Sequence, residues 1–206
     1  LPNIDEIILE EFPYPVALTY QKMLSSKVAA EKTELGVRAF HFMIRTITFT
    51  AVIQYIGTPP SILNNEHLNE LIRFQIKRPF TRYWIDLFLK ILDVYKDHRE
   101  LLLMQELHDL YWAGRDKEAE TSPVLISVLK KMSDLSNDLD GGRVNPASIA
   151  DVVQQLLRQV FSLFVFVRDY ELWFVRDKNE ERLSIEVYSG ATDPKRIYPL
   201  HSSIRY

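Results

Sequence analysis

The sequence predicts a mainly α-helical protein, a multi-helix bundle with two long helices and a small C-terminal β-hairpin. Apolar residues recur at helical spacing through most of the first 170 positions. Residues 182–188 alternate strictly between apolar and polar, as a half-buried strand does. An apolar content of 47% in 206 residues is enough for one core. We therefore expect a helical domain over residues 1–170, followed by a hairpin appendage or the start of a further module over 171–206.

Proline, glycine and capping residues divide the N-terminal half into five predicted helices. Pro15 suits the first turn of the first helix, and Ser25 or Ser26 suits the cap of the long second one. Asn64 or Asn65 caps the third helix, and Pro79 separates it from the fourth. The predicted bounds are 16–24, 26–56, 65–78, 79–95 and 100–112. Gly36, inside the long second helix, is expected where two helices approach closely.

Two further helices, 123–135 and 147–170, are predicted around a tight loop at residues 136–142. The Gly141-Gly142 pair ends the first of them, because glycine accepts the left-handed conformation found at helix ends. The second is apolar nearly all round in its later half, more than one domain face can bury. This apolar surplus must meet either the N-terminal helices or a second copy of the chain. The second arrangement predicts a homodimer through Val153, Leu157 and Phe164.

Several classes of site and location are disfavoured by composition. The chain has no cysteine, so disulfides and thiolate metal sites are excluded. Its net charge of -3 gives no general affinity for polyanions. His98 and His108 do not share a helix face, and we expect no metal and no cofactor. Lacking a long apolar span or a basic signal region, the chain is predicted to be cytoplasmic, with no membrane contact.

The loop after the sixth predicted helix carries a recognisable pattern. It reads Ser136-Asn137-Asp138-Leu139-Asp140-Gly141-Gly142, with an apolar helix on either side. This segment resembles the Arg-Asn-x-x-x-His-Gly motif of HEPN domains, which are all-helical modules of prokaryotic defence and stress systems. Asn137 and Gly142 match the motif, whereas Ser136 stands at the arginine position and Gly141 at the histidine position. Residues 12–18 and 169–172 also resemble the margins of such domains.

The HEPN resemblance implies a homodimer and a degenerate catalytic site. In active members the histidine moves protons and the arginine faces the charge that develops on the phosphodiester, without a metal. Ser136 and Gly141 can do neither, so we expect no catalytic residue and no metal-independent ribonuclease activity here. Two other interpretations stay open: the glycine pair is only a helix C-cap, or the loop cradles a phosphate.

A second candidate site is a cluster of cations around Pro79, with aromatic residues between them. Basic and aromatic side chains together can hold single-stranded nucleic acid by phosphate contact and stacking. The competing interpretation is a charged helix end whose aromatics lie in the core. The cations are Arg73, Lys77, Arg78 and Arg82, and the aromatics are Phe74, Phe80, Tyr83 and Trp84.

Three functional hypotheses follow from these patterns. The first is a non-catalytic, HEPN-like regulatory or scaffolding domain of a prokaryotic defence or signalling protein, which dimerises and couples a protein partner or a fused effector domain. The alternative is an RNA-binding or RNA-cleaving HEPN-like module that uses the basic and aromatic cluster. A ligand-sensing helical bundle is the third. His41, beside an apolar stripe, is expected to be a packed histidine rather than a base.

Overall fold

Helices α1 to α8 make up most of this chain, and they confirm the mainly helical class. A computed structural model describes residues 3–78, 80–112, 123–170, 172–178, 182–188, 190–191 and 196–201, with the backbone only at residue 123 and in the strands. The helices within these ranges are α1 (Ile4–Glu11), α2 (Tyr14–Ser25), α3 (Ala29–Gly57), α4 (Glu66–Gln75), α5 (Thr81–Val94), α6 (Gln105–Trp112), α7 (Pro123–Asp140) and α8 (Ala150–Leu163). Short 3-10 segments lie at Arg99–Leu101, Pro146–Ser148 and Val165–Asp169.

The 29-residue helix α3 occupies the centre of the core and packs against α2, α5, α7 and α8. At Gly36 it approaches α8 so closely that a Cβ atom would lie 2.6 Å from Val153 Cγ1 and 3.1 Å from Leu157 Cδ1. The expectation that Gly36 permits close helix packing is thereby confirmed. Because both neighbours are fully buried, the contact lies deep in the core.

Helix α1 was missed by the sequence prediction, which began its first helix at residue 16. Its start carries a capping box: Asn3 accepts a hydrogen bond from the Asp5 backbone at 3.2 Å, and Glu6 accepts one from the Asn3 backbone at 3.4 Å. An Asn followed three residues later by Glu is a recognised start signal. The signal was therefore present in the sequence.

An ion pair joins α1 to α8 and involves α2 as well. The Asp5 carboxylate accepts hydrogen bonds from Arg158 Nε at 2.9 Å, from Arg158 Nη2 at 2.5 Å and from the Tyr20 hydroxyl at 2.7 Å. The Arg158 guanidinium keeps the pKa of the Asp5 carboxyl below its ordinary value. The charged carboxylate is therefore the form that holds these three helices together above the ordinary pKa of Asp.

The predicted fifth helix, residues 100–112, is divided in the structure. A 3-10 turn at Arg99–Leu101 is followed by α6, with Leu102 in an extended conformation. Arg99 folds back over this break: its Nε and Nη2 each donate to the Asp109 carboxylate at 2.6 Å, and its Nη1 donates to Gln105 at 2.6 Å. These side-chain bonds join the 3-10 turn to α6 across the break. The spacing of apolar residues could not predict them.

The last α-helix is shorter than predicted, because the backbone changes from α-helical to 3-10 geometry near its end. Helix α8 ends at Leu163, and Val165–Asp169 continues as a 3-10 helix. With three residues per turn, Phe164 and Val167 fall on the same side, and they are 0% and 1% exposed. Much of the apolar surplus that suggested a second chain is thus buried within this one.

The same burial corrects the predicted dimer residues. Val153, Leu157 and Phe164 are each 0% exposed, packed inside the helical core of a single chain. A side chain with no exposed surface cannot contact a second protomer, so their assignment to a dimer surface is wrong. The outward neighbour is Val152, which is 48% exposed.

After Tyr170 the backbone forms an antiparallel sheet of order β1-β2-β3, made of β1 (Leu172–Lys178), β2 (Arg182–Tyr188) and β3 (Arg196–His201). Between β2 and β3, the amides of Gly190 and Ala191 donate to Phe12 O at 2.8 Å and to Leu9 O at 2.6 Å, which brings this segment against the N-terminal helices. The strand side chains lie outside the described residues. The predicted half-buried face of residues 182–188 therefore lies outside the described residues, as does Pro79, the predicted helix boundary.

The glycine contact gives a direct stability test. Gly36→Ala should lower the free energy of unfolding by about 1–2 kcal/mol, because the added methyl overpacks the α3–α8 contact and outweighs a propensity gain of about 1 kcal/mol. Gly57→Ala is the matched control, since a Cβ there meets nothing within 4 Å. It should leave stability unchanged or raise it. Urea denaturation of both variants decides the matter, and equal effects would contradict the close packing.

Candidate functional site

The motif positions lie in the last turns of α7 rather than in a loop, because α7 continues to Asp140. Gly142 has a φ of +64°, the left-handed region that favours glycine. Its amide donates to Leu139 O at 3.0 Å, and the Arg143 amide donates to Asp138 O at 2.8 Å. These two bonds form a Schellman motif, so the glycine pair serves as a helix C-cap.

Ser136, at the position of the catalytic arginine, is buried and faces α3. Its hydroxyl shares a hydrogen bond of 3.1 Å with His41 Nε2, and the residue is 3% exposed. The two residues are 95 positions apart, so no local sequence signal could have paired them. The expectation of a packed histidine at residue 41 is confirmed by this contact.

The environment of His41 keeps its imidazole neutral. Burial lowers its pKa to about 4, and the positive charges of Arg45 and Arg38 act in the same direction. Asp140 acts in the opposite direction, to a smaller extent than burial. A neutral ring can share a hydrogen bond with a serine, but Ser136 is too buried for a substrate to reach it.

The surface around the motif has mixed charge. Between residues 136 and 143 the acids are Asp138 and Asp140, and the cation is Arg143. Arg143 Nε donates to Asp138 at 2.7 Å, and Arg143 Nη2 donates to Asn137 O at 3.2 Å. Residues 136–143 themselves therefore carry no excess of positive charge that would attract a polynucleotide.

The basic and aromatic cluster, in contrast, lies on the surface at the turn between α4 and α5. Phe74 is 68% exposed and Phe80 is 50% exposed, whereas Trp84 is 7% exposed and donates from its indole to Arg78 O at 2.9 Å. Of the predicted aromatics, only Trp84 is therefore a core residue. All four predicted cations are exposed.

Two arginines of this cluster flank one tyrosine. The Cζ atoms of Arg78 and Arg82 each lie 4.8 Å from the centre of the Tyr83 ring. Their guanidinium groups also donate to the Tyr83 hydroxyl, at 3.3 Å and 3.0 Å. The bond from Arg82 and the charges of both arginines lower the pKa of the Tyr83 phenol below its ordinary value.

Two apolar surfaces complete the inventory of candidate sites. An open groove of about 540 Å³ lies between α7 and α8, and it includes the exposed Val124 together with Gln155 and Leu163. On α3, three large apolar side chains share one face at helical spacing, and the sequence reasoning did not single them out. They are Phe49, Ile53 and Ile56, which are 48%, 58% and 67% exposed.

His98 and His108, the pair considered in the sequence, make separate contacts. His98 Nδ1 lies 3.8 Å from Glu100, and His108 Nε2 lies 2.9 Å from Lys96 O. Among the described residues there is no group of three or more His, Cys, Asp or Glu side chains that could hold an ion. In the same part of the chain, the helices are too short or too polar to span a bilayer.

Comparisons of this chain with family models, with curated proteins and with solved structures give no match. The HEPN resemblance therefore rests on the motif residues alone.

The buried histidine predicts an acid-sensitive fold. The pKa of His41 is lower in the folded chain, at about 4, than in an unfolded chain, at about 6.5. Its contribution is therefore present above about pH 6.5 and lost as the pH falls toward 4, because the unfolded chain takes up the proton first. Between those limits the wild type should lose about 1–3 kcal/mol more than His41→Gln.

Urea denaturation of both proteins between pH 4 and pH 7.5 measures this difference. Carboxyl groups affect the stability of both proteins in this range, so the difference between the wild type and His41→Gln removes their contribution. An identical pH dependence in the two proteins would contradict the burial of a neutral His41.

Proposed function

We propose that this chain is a non-catalytic, HEPN-like regulatory or scaffolding domain of a prokaryotic defence or signalling protein, and that it dimerises and couples partners. The observation that carries the proposal is that both decisive motif positions serve the fold. Ser136 is buried against His41, and Gly141 leads into the C-cap of α7. Neither residue can supply a proton or a positive charge to a reacting phosphodiester.

A hydrogen-bonded serine and histidine invite comparison with a nucleophile and its base. The geometry argues against that role, because Ser136 is 3% exposed and its hydroxyl faces α3 from within α7. A nucleophile must reach an electrophilic atom at about 3 Å, and here helix side chains fill that space. The pair therefore joins two helices.

Partner binding is supported by the two exposed apolar surfaces. The α3 stripe of Phe49, Ile53 and Ile56 and the α7–α8 groove lie on different helices. Exposed apolar patches on a soluble domain mark sites of protein contact. Two separate surfaces suit a domain that pairs with a second copy through one and with a partner through the other.

We assign the dimer contact to the α7–α8 groove. Val152 lies one turn before Gln155 on the same face of α8, so it continues the lining of the groove along that helix. A two-fold contact there uses the same patch on both copies, so each substitution acts twice. This assignment replaces the buried Val153, Leu157 and Phe164.

The C-terminal hairpin belongs to the same proposal, as an appendage of the helical domain or the first element of a further module. A sheet of only three short strands needs cover for its apolar face in water. Contact with the helices, with another chain or with a fused effector domain would supply that cover. The bonds from Gly190 and Ala191 to Phe12 O and Leu9 O support contact with the helices.

Sedimentation velocity at micromolar concentration tests the dimer. The wild type should sediment as a dimer, and Val152→Glu or Val124→Glu should sediment as a monomer with unchanged helical content, because two charges would meet at the contact. Ile53→Glu is the matched control, since it changes an equally exposed apolar residue on α3. It should remain dimeric.

A monomeric wild type would contradict the dimer part of the proposal. The non-catalytic part has its own contrary result. RNA cleavage that survives a chelator, and that is abolished by substitutions within residues 136–142, would show that this site is catalytic.

A further inference from the structure

The turn between α4 and α5 presents a surface of uniform character. Every exposed residue that the structure describes between positions 73 and 83 is an arginine, a lysine or a phenylalanine. We call this surface the α4–α5 patch. Its members are Arg73, Phe74, Lys77, Arg78, Phe80 and Arg82, with the half-buried Tyr83 between the last two cations.

The four cations of the α4–α5 patch form no close ion pairs within the described part of the chain. No acid occurs between residues 73 and 83, although the whole chain has a net charge of -3. In the described part of the chain, none of the four cations has a carboxylate oxygen within 4.0 Å. Asp86 and Asp134 line a cleft beside Arg82, but the patch itself carries only positive charge. A positive surface on an acidic protein favours an anionic partner.

The arrangement of Arg78 and Arg82 favours phosphate among the anions. Each guanidinium lies over the Tyr83 ring and uses one donor on the Tyr83 hydroxyl, at 3.3 Å and 3.0 Å. A guanidinium has five N–H donors in a planar fork, so several remain for a phosphate oxygen. Because both guanidinium groups bind the Tyr83 hydroxyl, the two positive charges lie close together.

The aromatic side chains favour a partner that also has flat faces. Phe74 and Phe80 are 68% and 50% exposed, and the centres of the Phe80 and Tyr83 rings lie 6.3 Å apart. Arg82 Cζ lies 5.9 Å from the centre of the Phe80 ring, so a positive charge lies close to both rings. An acidic peptide would satisfy the cations, but it offers no stacking partner for exposed rings.

We propose that the α4–α5 patch binds single-stranded nucleic acid, with phosphates on the arginines and unpaired bases stacked on Phe74 and Phe80. Alternating phosphates and accessible bases are the chemistry that a surface of cations and aromatic rings recognises. A duplex would contact the cations but keep its bases stacked inside. The inference is separate from the dimer and scaffold proposal, which can hold for a protein that binds no nucleic acid.

Fluorescence anisotropy with a labelled 20-nucleotide oligouridylate at 50 mM salt tests the inference. The full chain should bind with a Kd between about 1 and 100 µM. A plot of the logarithm of the association constant against the logarithm of the salt concentration should have a slope of about -3, as expected for four phosphate contacts. Arg82→Gln should weaken binding and reduce that slope by about 0.7. Lys22→Gln removes an exposed cation of α2, outside the patch, and should change neither value.

The aromatic part of the inference has a matched pair of variants. Phe80→Leu keeps an apolar side chain but removes the ring, and it should weaken binding about tenfold. Phe80→Tyr keeps the ring and should bind as the wild type does. Circular dichroism and thermal melting of each variant separate loss of binding from loss of fold.

Two results would overturn the inference. The first is no binding of the oligouridylate by the wild type at 50 mM salt. The second is equal binding by Phe80→Leu and the wild type, together with full competition by inorganic polyphosphate at equal charge. That outcome would describe a surface for polyanions in general, without base stacking.

Discussion

The close approach of α3 and α8 at Gly36 is the contact on which the rest of the helical core depends. Val153 and Leu157 occupy the space that a side chain at residue 36 would need. The turn before α8 is held to the same helix, because Thr33 Oγ1 donates to Pro146 O at 2.7 Å. Since only residues 141–149 separate α7 from α8, the position of α8 also restricts where α7 can lie. The buried bond between His41 and Ser136 then joins α7 to α3 directly.

Helix α3 also connects the two regions with functional interest. His41 faces the end of α7, and one turn later Arg45 Cζ lies 5.6 Å from the Trp84 ring of α5. The Trp84 indole donates to Arg78 O and so supports the turn that carries the α4–α5 patch. The degenerate motif and the patch are thus positioned by one helix, although their chemistry differs. In the first, Ser136 is buried and the charges around it are mixed, whereas the second is exposed and positive.

Local signals predicted much of the fold. Asn65 caps α4 by accepting from the Leu68 amide at 3.0 Å, and the Gly141-Gly142 pair ends α7, both as expected. Features set by tertiary contacts were not predictable. The change from α to 3-10 geometry after Leu163 depends on which side of Phe164 and Val167 meets other helices. At the candidate site, the residue types indicated a basic and aromatic cluster. Whether its rings lie on the surface or in the core depends on their exposure, which residue spacing at a turn does not determine. The partner of Ser136 is likewise a product of the fold.

The central role of the Gly36 contact can be measured with a double-mutant cycle of Gly36→Ala and Val153→Ala. Val153→Ala alone should destabilise the chain by leaving a cavity in the core. In the double variant the new methyl at residue 36 occupies part of that cavity, so the combined loss should fall short of the sum by about 1 kcal/mol or more. Losses that add within about 0.5 kcal/mol would show that the two positions do not compete for space, and would contradict the close contact between α3 and α8.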